Sequence, residues 1–188
     1  MDKSELRKKI LSIRNELKQE EAEQKSKIII DRLTSSDEYK SSKVVFIYMS
    51  FKNEVKTYDL IERMLSEGKR VVIPYTDTEN TEIIPSEIKS LKNDLVLNSF
   101  GYYEPISEKV KQVSPEELDL IIAPGVVFDE SLNRVGFGKG YYDRILSKKR
   151  KDTKVVAVAY EFQIADKVPT EPHDIKMDMI ITEERIIQ

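Results

Sequence analysis

The sequence predicts an α/β layered fold, and two observations carry that expectation. Continuous apolar, β-branched runs recur along the chain, as in strands buried on both faces. Helical segments alternate with those runs, the order expected of a parallel sheet covered by helices. No internal repeat or low-complexity linker interrupts the alternation.

The first helix is expected from about Lys3 to Leu17, with Leu6, Ile10, Ile13 and Leu17 on one stripe. A polar second helix follows, roughly Glu20 to Leu33, and Thr34-Ser35-Ser36-Asp37 breaks it. Val44–Met49 is the first buried strand. Thr57 reads as an N-cap, Leu60, Ile61, Met64 and Leu65 as the apolar face of its helix, and Gly68 as the stop. Arg70–Pro74 completes a βαβ unit. Thr76 to Pro115 is turn-rich, with short strands around Glu82–Ile88 and Leu95–Phe100. Leu118–Pro124 is the third buried strand, followed by a glycine-rich loop from Arg134 to Gly140. A helix from about Tyr141 to Lys149 carries basic residues in its last turn, as the helix dipole favours. Lys154–Tyr160 and Met177–Thr182 are the remaining strands. Ligands of open α/β sheets sit beyond the carboxyl ends of the strands, where the loops Ser50–Lys56 and Pro124–Gly140 fall.

Composition narrows the chemistry. The 188 residues suit one medium domain, or two small lobes sharing a core. Lys plus Arg is 31 and Asp plus Glu is 34, a net charge of -3 that gives no electrostatic footprint for non-specific DNA binding. The absence of cysteine excludes disulfides, thiolate nucleophiles and Cys-ligated zinc. A single histidine excludes a multi-His metal site, so any metal would be held by oxygen, which favours Mg²⁺ or Ca²⁺. The charged start Met1-Asp2-Lys3-Ser4-Glu5 is unlike a signal peptide, and the apolar runs are far short of a membrane span. The expectation is a cytoplasmic chain with no membrane partner.

The most informative stretch is Pro124-Gly125-Val126-Val127-Phe128-Asp129, then Asn133-Arg134-Val135-Gly136-Phe137-Gly138-Lys139-Gly140-Tyr141-Tyr142-Asp143-Arg144. Alternate glycines let the backbone approach a phosphate and turn sharply before a helix N-terminus. Arg134 and Lys139 supply positive charge, and Asp143 is placed to hold a magnesium ion bridging phosphates. The loop is neither a Walker A motif nor a dinucleotide fingerprint. Taken alone, it also reads as a tight structural turn with a solvated lysine.

Pro-Gly-x-x-Phe-Asp, followed by Asn-Arg-x-Gly-x-Gly-x-Gly-Tyr-Tyr-Asp-Arg, closely resembles the 5-formyltetrahydrofolate cyclo-ligase family. Lys3-x-x-Leu6-Arg7, Tyr48 with Glu54-Val55-x-Thr57, Phe100-Gly101-x-x-Glu104-Pro105 and His173-Asp174 resemble it in the same order. The resemblance spans essentially the whole chain, residues 1–188 as one domain, and implies a three-layer α/β/α fold around a mostly parallel sheet. It implies conversion of 5-formyltetrahydrofolate and ATP to 5,10-methenyltetrahydrofolate, ADP and phosphate.

The resemblance also implies roles. Lys3 and Arg7, one turn apart, reach ATP phosphates. Arg134, Gly136, Gly138, Lys139, Gly140, Tyr141 and Tyr142 form the ATP loop, with Lys139, Arg134 and Tyr142 as the catalytic set. Asp143 and Asp174 hold Mg²⁺, while Glu54 meets the N–H edge of the pterin and Phe51 stacks on it. Each residue has a plainer reading: a solvated basic face for Lys3 and Arg7, a first-turn acid for Asp143, a turn residue for Asp174, core packing for a tyrosine, and loop residues for Glu54 and Phe51. His173 is expected to be structural, and Lys148–Lys151 to be a solvated helix end. The expected partner is the small-molecule folate, with no nucleic acid and a monomeric chain. The alternatives are another phosphoryl-transfer enzyme on the same scaffold and a non-catalytic folate- or nucleotide-binding protein.

Overall fold

The computed structural model describes residues 1–188. Its helices are α1 (Lys3–Glu16), α2 (Gln19–Ser35), α3 (Asp37–Ser41), α4 (Tyr58–Ser66) and α5 (Tyr141–Ser147). Its strands are β1 (Val44–Ile47), β2 (Arg70–Asp77), β3 (Glu82–Ile88), β4 (Leu95–Leu97), β5 (Tyr103–Pro105), β6 (Leu120–Ala123), β7 (Val127–Asp129), β8 (Arg134–Val135), β9 (Lys154–Val158), β10 (Ile164–Ala165), β11 (Met179–Ile181) and β12 (Ile186–Ile187).

Seven strands form the central sheet in the order β12-β11-β9-β6-β1-β2-β3. The five inner strands are parallel, and the edge strands β3 and β12 run antiparallel to their neighbours. Alternation along each inner strand splits the core in two. Val45, Ile47, Ile122 and Val156 face α2, α3 and α4, while Val44, Phe46, Ile121 and Val155 pack with Ile145 and Leu146 of α5. This is the expected helix–sheet–helix layering.

The crossover helices explain where a cleft opens. β1 leads through α4 to β2 on one side, and β6, its other neighbour, leads through α5 to β9. The two connections leave adjacent parallel strands towards opposite faces, which parts the chain beyond their carboxyl ends. There α1 lies on a small sheet ordered β10-β7-β8, through Leu6 and Ile10 against Val126, Val127, Val135 and Val168.

Several expectations need correction. Ile13 is 40% exposed, whereas Arg14 is 4% exposed. Positions four apart drift by about 40° around a helix, so the line from Leu6 through Ile10 continues to Arg14. Thr57 occupies the N-cap of α4 without capping it: its hydroxyl donates to Tyr48 O at 2.9 Å and accepts from Ser50 N at 3.0 Å. The break after α2 holds a further short helix, α3, capped by Ser36 through Tyr39 N. The strand expected over Leu95–Phe100 stops at Leu97, because Asn98 Oδ1 accepts from Phe100 N and turns the chain into a hairpin with β5.

The segment read as one loop after β6 contains the β7–β8 hairpin. Buried Asp129 shapes it, accepting from Ser131 N, Asn133 N, Asn133 Nδ2 and Val168 N at 2.9–3.0 Å.

Candidate active site

One cavity of about 710 Å³ sits at the carboxyl ends of β1 and β6, and every site residue singled out in the sequence lines it. They come from four separate stretches: α1, the loop after β1, the glycine loop with the start of α5, and the segment before β11.

The glycine loop is held from outside. Arg7 Nε donates to Gly136 O at 2.7 Å. A Cβ at Gly136 would lie 2.8 Å from Arg134 Nη1, so a side chain there would displace the Arg134 guanidinium. Gly138 and Gly140 have φ of +98° and +68°, the left-handed region that favours glycine. Gly140 is the N-cap of α5 and brings no side chain to it, so no side-chain cap blocks the first-turn N–H groups.

Arg134 is almost fully buried, donates to Asp143 Oδ1 at 2.9 Å and lies over the Tyr142 ring, 5.8 Å from its centroid. Lys139 lies 6.0 Å from the Tyr141 ring centroid. Tyr142 also packs edge-on against Phe46 of β1. Burial, then the charge of Glu54, pushes its hydroxyl pKa well up.

Lys3 Nζ donates to Asp174 Oδ2 at 2.7 Å. Burial opposes the charge of Asp174, yet Lys3 and the Glu171 N–H hold the carboxyl below its usual range. The ligand atoms of Asp174, Glu171 and His173 lie within 4.8 Å of one another. Asp143 is not in that group; it stands on Arg134 and keeps its second oxygen clear of hydrogen bonds. Asp174 Oδ2 is taken by Lys3 Nζ and the Glu171 N–H and Asp143 Oδ1 by Arg134, which leaves one carboxylate oxygen on each as a hard donor of the kind Mg²⁺ takes.

The loop after β1 forms another wall. Glu54 Oε2 accepts from Phe51 N at 2.8 Å. Burial pushes its carboxyl pKa up to about 7, against the pull of Arg14, the Phe51 N–H and Lys56. Tyr48 donates to Val55 O at 2.7 Å, and Asn53 Nδ2 donates to Arg14 O and Leu17 O, tying this loop to the end of α1. Phe51 meets Tyr102 edge-on at 5.8 Å, and Tyr102 shares a 3.2 Å hydrogen bond with Thr76.

Arg14, Tyr102, Thr76 and Glu171 also line the cavity and escaped sequence reasoning. Arg14 had a signal: Lys3, Arg7 and Arg14 fall within about 40° of one another on a helix. Tyr102 had none, because its position depends on the β4–β5 hairpin folding back.

A family model described as the 5-formyltetrahydrofolate cyclo-ligase family matches residues 1–183. The 5-formyltetrahydrofolate cyclo-ligase of Mus musculus is 30% identical over 187 residues, covering 92% of each chain. That of Escherichia coli (strain K12) is 33% identical over 144 residues, covering 76% of this chain and 79% of that protein. The NMR structure of the 5,10-methenyltetrahydrofolate synthetase of Aquifex aeolicus matches with a TM-score of 0.86 at 38% identity, covering 100% of this chain and 93% of the other. The synthetase from Mycoplasma pneumoniae gives 0.79 at 29% identity, covering 97% and 99%. These likenesses bear out the expected enzyme. Matched in sequence over nearly its whole length and in fold throughout, the chain belongs to the 5-formyltetrahydrofolate cyclo-ligase family, ligases of folate one-carbon metabolism.

Proposed function

We propose that the chain converts 5-formyltetrahydrofolate to 5,10-methenyltetrahydrofolate with Mg²⁺ and ATP, releasing ADP and phosphate. The observation that carries this reading is the division of one cavity into two chemistries. Lys3, Arg7, Arg134 and Lys139 surround a glycine loop with open backbone, while Glu54, Phe51 and Tyr102 make a half-buried, aromatic wall with one carboxylate acceptor.

ATP supplies the phosphoryl group that makes the formyl oxygen a leaving group, and Mg²⁺ offsets phosphate charge. N10 then bonds to the formyl carbon and loses its proton as the oxygen departs in phosphate. For such a reaction the protein contributes position and charge more than a covalent nucleophile. Lys3, Arg7 and the glycine backbone hold phosphates, and Asp143 and Asp174 hold the metal. Lys139 and Arg134 face the charge that develops on transfer, with Tyr142 fixing the Arg134 guanidinium from below. Glu54 accepts from the N–H edge of the pterin, and Phe51 covers its face.

On this reading residues 1–188 act as one domain and one chain in the cytoplasm, with the folate as partner and no nucleic acid. Absorbance at the methenyl-folate band tests the reaction, with protein, 5-formyltetrahydrofolate, Mg²⁺ and ATP each omitted in turn. The band grows only when all are present; growth without ATP or without Mg²⁺ would overturn the corresponding part.

A further inference from the structure

Arg14 is the one cavity arginine without a polar partner for its side chain. It is 4% exposed, its Nε is buried without a hydrogen-bond partner, and its guanidinium forms no ion pair. It lies over the Phe137 ring, 5.6 Å from the centroid. A buried donor left unpaired costs free energy, and a charged one costs more. Packing alone does not compensate it, because a cation over a ring satisfies none of the five N–H groups.

Its surroundings indicate what would. Glu54, next to the Asn53 that bonds Arg14 O, lines the same cavity and feels the Arg14 charge, which pulls against the upward shift of its carboxyl. The Tyr48 hydroxyl, the neighbouring donor, is already engaged by Val55 O. A pterin presents two donors, its 2-amino group and N3–H, and next to them an acceptor, its 4-oxo oxygen. Glu54 suits the donors and leaves the acceptor facing a site where a donor is required.

We infer that Arg14 donates to the 4-oxo oxygen of the pterin and so selects 4-oxo folates. This rests on the folate site proposed above. A guanidinium only donates, so a 4-amino group at that position meets it donor to donor.

The test is equilibrium binding without ATP of 5-formyltetrahydrofolate and its 4-amino-4-deoxy counterpart to the wild type, Arg14→Met and Arg14→Lys. A hydrogen bond from a charged donor corresponds to an effect of about tenfold or more. Arg14→Met is expected to weaken the 4-oxo ligand by at least that factor, to shrink the 4-oxo over 4-amino preference by at least as much, since the donor–donor clash is relieved as well, and to leave ATP binding unchanged. Arg14→Lys keeps the charge without the planar fork and should fall between, which gives a readout even where the Met variant folds poorly. An unchanged preference in either variant would overturn the inference while leaving the folate site standing. Binding of neither ligand by the wild type would overturn the folate reading and this inference with it.

Discussion

Arg7 Nε donates to the carbonyl of Gly136 at 2.7 Å, so the first helix of the chain holds a loop 129 residues away in sequence. The same guanidinium lies 3.5 Å from where a Cβ on Gly138 would stand. Arg7 therefore both shapes the glycine loop and brings charge to it. Arg7→Met should raise KM for ATP by about tenfold to a hundredfold, the range for loss of a charged hydrogen bond. Folate binding measured without ATP should change less. An equal loss for both ligands would make Arg7 a general support of the cavity.

Glu54 gives a pH signature. Its carboxyl is raised from an ordinary 4.5 to about 7, with burial the main cause. Between those values the folded protein carries a proton that the unfolded chain has lost. Stability attributable to Glu54 is thus fully present below pH 4.5 and declines as pH rises through 7, by about 3 kcal/mol in all. Glu54→Gln should abolish that slope, be the more stable protein at pH 8 and bind folate more weakly. Urea unfolding of both proteins at pH 5 and pH 8 reads the difference; equal slopes would show that burial of Glu54 is not felt as a charge penalty.

Asp143 is held by Arg134 at 2.9 Å through one carboxylate oxygen. Asp143→Asn leaves the shape and removes the charge. The Mg²⁺ concentration for half-maximal activity should rise by about tenfold or more if the carboxylate is a ligand. A shift in KM for ATP with an unchanged Mg²⁺ requirement would assign Asp143 to orienting Arg134 alone.

Asp129 separates scaffold from site. It accepts four hydrogen bonds, including one from the buried backbone of Val168. Asp129→Ala strands those donors and should cost about 3 kcal/mol or more in a denaturant melt. KM values of the remaining folded protein should be near those of the wild type, because Asp129 is absent from the cavity lining.

Much of the fold was legible locally. The buried strands Val44–Ile47 and Leu120–Ala123 announce themselves as unbroken β-branched runs, and Glu82–Ile88 matched its expected limits. Strand ends were less legible, because a run such as Val44–Met49 stays apolar after pairing stops at Ile47. The β7–β8 hairpin was hidden because its strands are three and two residues long and pair at only two positions, too short for a periodicity to show, although its Asp129 turn is local. Arg14 shares a helix side with Lys3 and Arg7, but an arginine on an amphipathic helix ordinarily points to solvent, and the docking line of α1 is what turns this one inward.

The alternation of helix and strand, the glycine spacing before α5 and the residue types of the candidate site can all be read along the chain, since they are properties of neighbouring residues. The tertiary structure alone decided that Lys3, Glu54, Lys139 and Asp174 share one cavity, that Asp143 faces Arg134 while Asp174 faces Lys3, and that Arg14 is buried beside Glu54. The reason is topological: β1 and β6 are adjacent in the sheet but far apart in sequence, and no local pattern records which loops meet where the chain parts between them.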